Sequence, residues 1–357
     1  MNNYMNIINI NTRESYDCIV GEGLISLVPS LINDLTINSN IALITDDIVD
    51  KLYADSLFND LKKNRKLKTI KMVIKSGEKS KNKETLFNIL EFLGDNNFNR
   101  SDYLIALGGG VVGDIVGLSS ALYMRGINYI QIPTTLLSMV DAAIGGKTGI
   151  DLKSGKNLVG AFKEPKMVIC DINIIKDLPS SIFKEGMAEV IKCDIIGNLG
   201  IKNNILNNEI KDNIESIINK CLYLKKDIVE KDEFETNELR KVLNLGHTVA
   251  HSIEAISNYS ISHGKAVGMG LLIESKISYE LGIINKEILD EIINILKMSD
   301  LIFDLKYDTD ELISFMKNDK KNNDELISFI LIESFGNIKE IKLNEKELKN
   351  ILNKIMK

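Results

Sequence analysis

The hydrophobic period of this chain changes once, and that change restricts the fold more than any other feature. Over the first 165 residues, short apolar runs alternate with helical stretches: Ile41–Thr45 ending at Asp46-Asp47, Ile70–Ile74, Tyr103–Leu107, and Ile127–Ile132 stopped by Pro133. Near-continuous apolar runs of this length predict strands buried on both faces, and the helical stretches between them predict a parallel sheet with helices over it. Beyond about residue 170 the spacing becomes helical, over 180–198, 200–231, 240–257, 264–281 and 285–298, with a small strand at Ser328–Ile332 and a closing helix at 345–356. The expected fold is an α/β N-terminal Rossmann-like domain with a parallel sheet (1–168), followed by a mainly α-helical C-terminal domain (169–357). A length of 357 residues suits two domains.

Composition removes several classes of function. With 44 Lys and Arg against 50 Asp and Glu, the formal net charge is −6, which argues against a non-specific nucleic-acid binder while leaving room for a local cationic pocket. No apolar run approaches the ~18 residues of a membrane helix, and the N-terminus has no basic stretch leading into an apolar one, so neither membrane insertion nor a signal peptide is expected. The four cysteines form no Cys-x-x-Cys pair; reduced, buried thiols of a cytoplasmic protein are the expectation.

Three stretches carry chemistry. First, the strongest strand runs into Gly108-Gly109-Gly110-Val111-Val112-Gly113-Asp114 and then a helical segment. Gly108, Gly110 and Gly113 fit G-x-G-x-x-G in a strand–loop–helix context, where a helix N-terminus offers N–H groups to a pyrophosphate. The loop does not follow the first strand, and no acidic residue closes a strand about 20 residues later, so Asp46, Glu78 or Lys79 are the alternatives for the ribose. Second, Lys147 and Lys156 lie beside glycines, which suits an anionic ligand; Gly145-Gly146-Lys147-Thr148 lacks the full phosphate-loop spacing of an ATPase. Third, all three histidines, His247, His251 and His263, fall within 17 residues. His247 and His251 share a helical face at i, i+4 and His263 opens the next helix. Imidazoles are common metal ligands and proton shuttles. Glu189 and Lys192, at i, i+3, read either as a solvent-exposed stabilising pair or with Glu189 completing a two-His, one-carboxylate cation site.

Together these residues resemble the 3-dehydroquinate synthases, within the sugar-phosphate cyclase group. The matching blocks are Gly108 to Asp114, Tyr123 to Gly126, Pro133 to Lys147, Gly155 to Phe162, Glu185 to Lys192, Leu243 to His251 and His263 to Val267. The resemblance implies a metal-binding helical domain with Glu189, His247 and His263 as ligands to zinc or cobalt, and His251 facing the substrate; the His247–His251 pair is the alternative from helix geometry. It implies NAD along Asp46, Ser76, Gly77, Glu78, Lys79, Lys81, Gly109, Gly110, Val111, Val112, Gly113, Asp114, Thr134, Thr135, Lys147 and Lys156.

The implied substrate is a sugar phosphate, 3-deoxy-D-arabino-heptulosonate 7-phosphate. Lys147, Asn157, Asn244 and His251 match phosphate and substrate contacts, and Lys225 and Arg240 match carboxylate binders. Asp141 and Lys192 match residues near the reacting hydroxyls, and Lys320 or Lys321 adds a cation. Arg125 matches a residue reaching a neighbouring subunit's site, which implies a homodimer. The stretch from Asp232 to Arg240 is one residue longer than the family pattern and lacks its glycine, which leaves the role of Glu235 open. The rival readings are a metal-dependent polyol dehydrogenase, a sister cyclase for another sugar phosphate, and a non-catalytic binding protein of the same fold.

Overall fold

A computed structural model describes residues 5–63, 68–305, 308–317 and 326–355. Lys320 and Lys321 lie outside them. The chain divides into two compact units, one of residues 1–178 with 225–234, the other of 179–224 with 235–357. The expected division at 168/169 falls inside a strand of the sheet, Met167–Asp171, so the first unit runs ten residues further and takes back a segment of helix Ile214–Lys231.

The first unit is built on a seven-stranded sheet. Its strands are β1 (Asn6–Ile10), β2 (Tyr16–Gly21), β3 (Ile41–Asp46), β4 (Thr69–Ile74), β5 (Tyr103–Gly108), β6 (Asn128–Pro133) and β9 (Met167–Asp171), in the order β1-β2-β9-β6-β5-β3-β4. All pairs are parallel except β1–β2. Strand period explains the two-sided core. Ile41, Leu43, Ile105, Leu107, Ile130 and Ile132 pack on one face. Ala42, Ile44, Leu104, Ala106 and Tyr129 pack on the other, against Val112, Ile115 and Val116 of helix Gly110–Leu122. An antiparallel hairpin, β7 (Lys147–Leu152) with β8 (Gly155–Phe162), stands apart from this sheet.

Strand order places a switch point between β3 and β5. From β3 the chain steps to β4 on one side and then returns to β5 on the other. At such a point the connections leave in opposite directions and open a crevice at the carboxyl ends of the strands, where doubly wound sheets bind ligands.

The second unit is mainly helical. Its longer helices are Ser180–Gly197, His247–Ile256, His263–Glu280, Lys286–Met298, Thr309–Lys317 and Glu345–Ile355, with the hairpin β10 (Leu326–Ser334) and β11 (Asn337–Asn344). The expected helix over 200–231 is interrupted between Leu206 and Ile214, and the one over 240–257 is a 3₁₀ segment, Leu239–Asn244, followed by His247–Ile256. Among the described residues, no helix is long and apolar enough to cross a membrane.

Candidate functional site

In the first unit the residues expected at a dinucleotide gather at the carboxyl ends of four adjacent strands. Asp46 ends β3, Ser76 to Lys79 follow β4, Gly108 to Gly110 follow β5, and Thr134 and Thr135 follow β6. Asp46 Oδ1 accepts from the backbone amides of Ile48 and Val49, both at 2.9 Å, and so caps the turn after β3. The neighbouring Asp47 ties β3 to β4: its Oδ1 accepts from the Ser76 amide at 2.9 Å and its Oδ2 from Lys75 at 3.0 Å. The Ser76 amide and then Lys75 hold the Asp47 carboxyl down at about 2.

Helix Gly110–Leu122 begins directly after β5, so its first amides point out over the sheet edge. A Cβ on Gly113 would stand 2.4 Å from Nε2 of Gln131, the far end of a buried side chain on β6, so Gln131 would have to shift to admit one. Val112 is buried in the core, which leaves only its backbone amide to offer a ligand.

Charged groups line the same region. Lys81, almost fully buried, pairs with Asp114 at 2.5 Å and donates to Asn157 Oδ1 at 2.6 Å. Burial raises the Asp114 carboxyl despite the Lys81 ammonium beside it. Lys156 pairs with Glu78 at 3.3 Å. Lys147 opens β7 and is exposed; it leads a strand rather than a helix, unlike the lysine of an ATPase phosphate loop. Asp141, in a single π-type turn Ser138–Ala142, pairs with Lys225. Arg125 is exposed in a turn where Met124, Arg125 and Gly126 all have positive φ, at 50°, 65° and 126°.

In the second unit Glu189, His247 and His263 come together. Each offers one ligand atom, and the three atoms lie within 4.8 Å of one another. Nε2 of His247 is 3.6 Å and Nε2 of His263 3.5 Å from Glu189 Oε1. Two imidazoles and one carboxylate suit a borderline cation such as zinc or cobalt. The His251 ring stands edge-on to His247, centroids 5.6 Å apart, but is exposed and outside this group.

Glu189 and Lys192 form an ion pair with side chains 0% and 1% exposed, so this i, i+3 pair is not the solvated helix stabiliser its spacing allows. Burial and then the Lys192 ammonium lower His247 to about 3. For His263 burial also opposes the charge, but hydrogen bonds with Glu189 and Glu254 outweigh it and raise the ring to about 9. Arg240, 2% exposed, has Nε 3.8 Å from Glu235 Oε1, and Asn244 ends the 3₁₀ segment. In this stretch Glu235 and Glu238 take positive φ, 57° and 62°.

Two devices hold the triad, and neither was anticipated. Helix His263–Glu280 meets its neighbours backbone to backbone. A Cβ on Gly264 would lie 2.2 Å from the Glu185 carbonyl oxygen, and one on Gly270 1.9 Å from that of Gly246. Glu274, fully buried on the same helix, accepts from the Gly246 amide at 2.6 Å and faces the Val249 amide at 3.5 Å. It thus serves the amides at the start of helix His247–Ile256, which has no side-chain cap of its own. The spacing Gly264, Gly268, Gly270 inside a helix was the available signal for close packing.

Residues 71–185 match the family model for the 3-dehydroquinate synthase N-terminal region, and 186–322 the one for its C-terminal region. The chain is 40% identical over 330 residues to a 3-dehydroquinate synthase of Clostridium botulinum (strain Alaska E43 / Type E3), covering 91% of this chain and 94% of that one. Among solved structures it is similar to 2-deoxy-scyllo-inosose synthase complexed with carbaglucose-6-phosphate, NAD+ and Co2+ (TM-score 0.88, 23% identity, 98% and 100% of the two chains). It is also similar to 2-epi-5-epi-valiolone synthase of Streptomyces hygroscopicus subsp. jinggangensis with NAD+ and Zn2+ bound (TM-score 0.86, 23% identity, 97% and 98%). At that identity the two structures speak to the fold.

Proposed function

Because the chain belongs to the 3-dehydroquinate synthase family, we propose that it converts 3-deoxy-D-arabino-heptulosonate 7-phosphate to 3-dehydroquinate and phosphate, as an NAD- and metal-dependent carbon–oxygen lyase of the cytoplasm. The observation that carries this reading is the Glu189, His247 and His263 group in a chain of that family. The donor set fits zinc or cobalt, and the amides opening helix Gly110–Leu122 fit a pyrophosphate. Bound at these residues, NAD would supply reversible hydride acceptance and the cation would supply Lewis-acid polarisation of a hydroxyl.

The remaining work falls to side chains. Glu189, His247 and His263 hold the cation. Asp46, Ser76, Gly77, Glu78, Lys79, Lys81, Gly109 to Asp114, Thr134, Thr135 and Lys156 hold the nucleotide. Lys147, Asn157, Asn244 and His251 make phosphate and substrate contacts. Lys225 and Arg240 bind the carboxylate, Arg240 with its two-pronged donor geometry. Asp141 and Lys192 stand at the reacting hydroxyls. In the elimination a C–H bond and the C–O bond to phosphate break; the C–H electron pair forms the carbon–carbon double bond, phosphate leaves with the C–O pair, and a phosphate oxygen takes the proton, so the protein need only fix its orientation.

We further infer a homodimer in which the exposed Arg125 reaches the partner's substrate; a monomer by light scattering at assay concentration would remove that role. The deciding experiment follows phosphate and cyclic product from purified protein with substrate, catalytic NAD and zinc. Equal amounts of phosphate and dehydroquinate without accumulating NADH are expected. NADH formation on simple polyols with no phosphate release would overturn the reading in favour of a polyol dehydrogenase.

A further inference from the structure

We propose that Glu254 is a positioning residue, one that orients His263 toward the cation. The inference rests on the reading of Glu189, His247 and His263 as ligands. His263 is the first residue of its helix and its side chain remains 32% exposed, so packing alone does not fix the ring. Gly264 fixes the backbone by its approach to Glu185 but says nothing about ring rotation. What faces the ring is Glu254: its Oε1 lies 3.3 Å from His263 Nδ1, which leaves Nε2 toward Glu189 at 3.5 Å. Glu254 is 2% exposed, so its carboxylate acts where water screens little.

His247 provides the comparison within the same group. Its Nδ1 lies 3.1 Å from the Leu245 carbonyl oxygen and its Nε2 faces the same Glu189 oxygen. Both imidazoles thus present Nε2 to Glu189 and turn Nδ1 to an oxygen acceptor, but one acceptor is a neutral carbonyl and the other a carboxylate. A carboxylate accepting from the far nitrogen fixes the tautomer and strengthens the ligand nitrogen. Glu254 also lies two turns beyond His247 on helix His247–Ile256. The helix that supplies one ligand therefore orients another.

The test is Co2+ binding to metal-stripped full-length protein, read from visible absorption and by competition with a chelator, for wild type, Glu254→Ala and Glu254→Gln. Removal of an outer partner costs about 10- to 100-fold in metal affinity. Glu254→Ala should lose that much and change the Co2+ spectrum, and Glu254→Gln, which keeps an acceptor but not the charge, should fall between Ala and wild type. Melting of the stripped proteins separates a folding defect from a ligand defect; if the Ala variant does not fold, the Gln variant decides. Wild-type affinity and spectrum in the folded variants would overturn the inference, whereas wild-type protein that binds no Co2+ would overturn the reading of the triad on which it stands.

Discussion

Gly270→Ala should destabilise the second unit and weaken its cation group at once. A Cβ at Gly270 would stand 1.9 Å from the Gly246 carbonyl oxygen, about 1.5 Å short of the 3.4 Å at which ordinary van der Waals contact begins. The obstruction is backbone, which cannot rotate away as a side chain can. Overpacking a core costs about 1–3 kcal/mol, and a backbone obstruction belongs at the upper end. Alanine returns about 1 kcal/mol through its better helix propensity. The net loss is about 2 kcal/mol, or a fall of about 4–8 °C in Tm for a unit of this size. Gly246 also immediately precedes His247, so relief of the clash displaces a triad residue, and Co2+ affinity should fall with Tm. Gly94→Ala is the control: Gly94 is helical, has nothing within 4 Å of its Cβ position, and should gain up to about 1 kcal/mol. Calorimetry and Co2+ titration of both variants read the outcome. A Gly270→Ala protein with wild-type Tm and wild-type Co2+ affinity would refute the argument from close approach.

Other substitutions probe separate parts of the molecule. Glu189→Gln should abolish metal binding and turnover, and full activity in metal-free buffer would reject Glu189 as a ligand. Lys81→Met removes the ammonium from the Asp114 pair. That should cost about 3 kcal/mol, the low end for breaking a buried pair because Asp114 keeps some solvent contact, and should weaken NAD binding; urea unfolding and NAD titration check both. Asp47, held at about 2 against an ordinary 3.8, contributes stability that is complete above pH 3.8 and is lost as pH falls through 2. The stability difference between wild type and Asp47→Asn should therefore be constant above about pH 4 and shrink as pH falls toward 2; a difference independent of pH across that range would contradict the assignment.

The parallel sheet was legible because burial on both faces writes an apolar run, as in β3 and β5; β6 keeps the signal with Gln131 inside it, and β4, a partly exposed edge strand, keeps it with Lys71 inside it. The hairpin β7–β8 was not, because in a half-exposed ribbon such as Gly155–Phe162 the apolar residues Leu158, Val159, Ala161 and Phe162 neither alternate cleanly nor form one run, and its opening glycine, lysine and asparagine read first as a ligand loop. The long helix expected over 200–231 broke for a related reason: spacing detects a continuous face but not the turn that interrupts it at 207–213.

The cation group shows the same limit from the side of function. Spacing along one helix finds His247 and His251, since i, i+4 places both on one face, yet a cation needs donors that converge from several directions. Those donors come from two other helices, Glu189 from Ser180–Gly197 and His263 from His263–Glu280. Convergence depends on how near the helix axes can come, which no periodicity of a single helix reports. Glycines within His263–Glu280 were visible as weak points, residues that cost a helix about 1 kcal/mol each. Their compensation is visible only once the Glu185 and Gly246 carbonyls are seen to occupy the space a Cβ would need. The residues that decide whether three ligand atoms can meet within 4.8 Å therefore include glycines that bear no ligand atom at all.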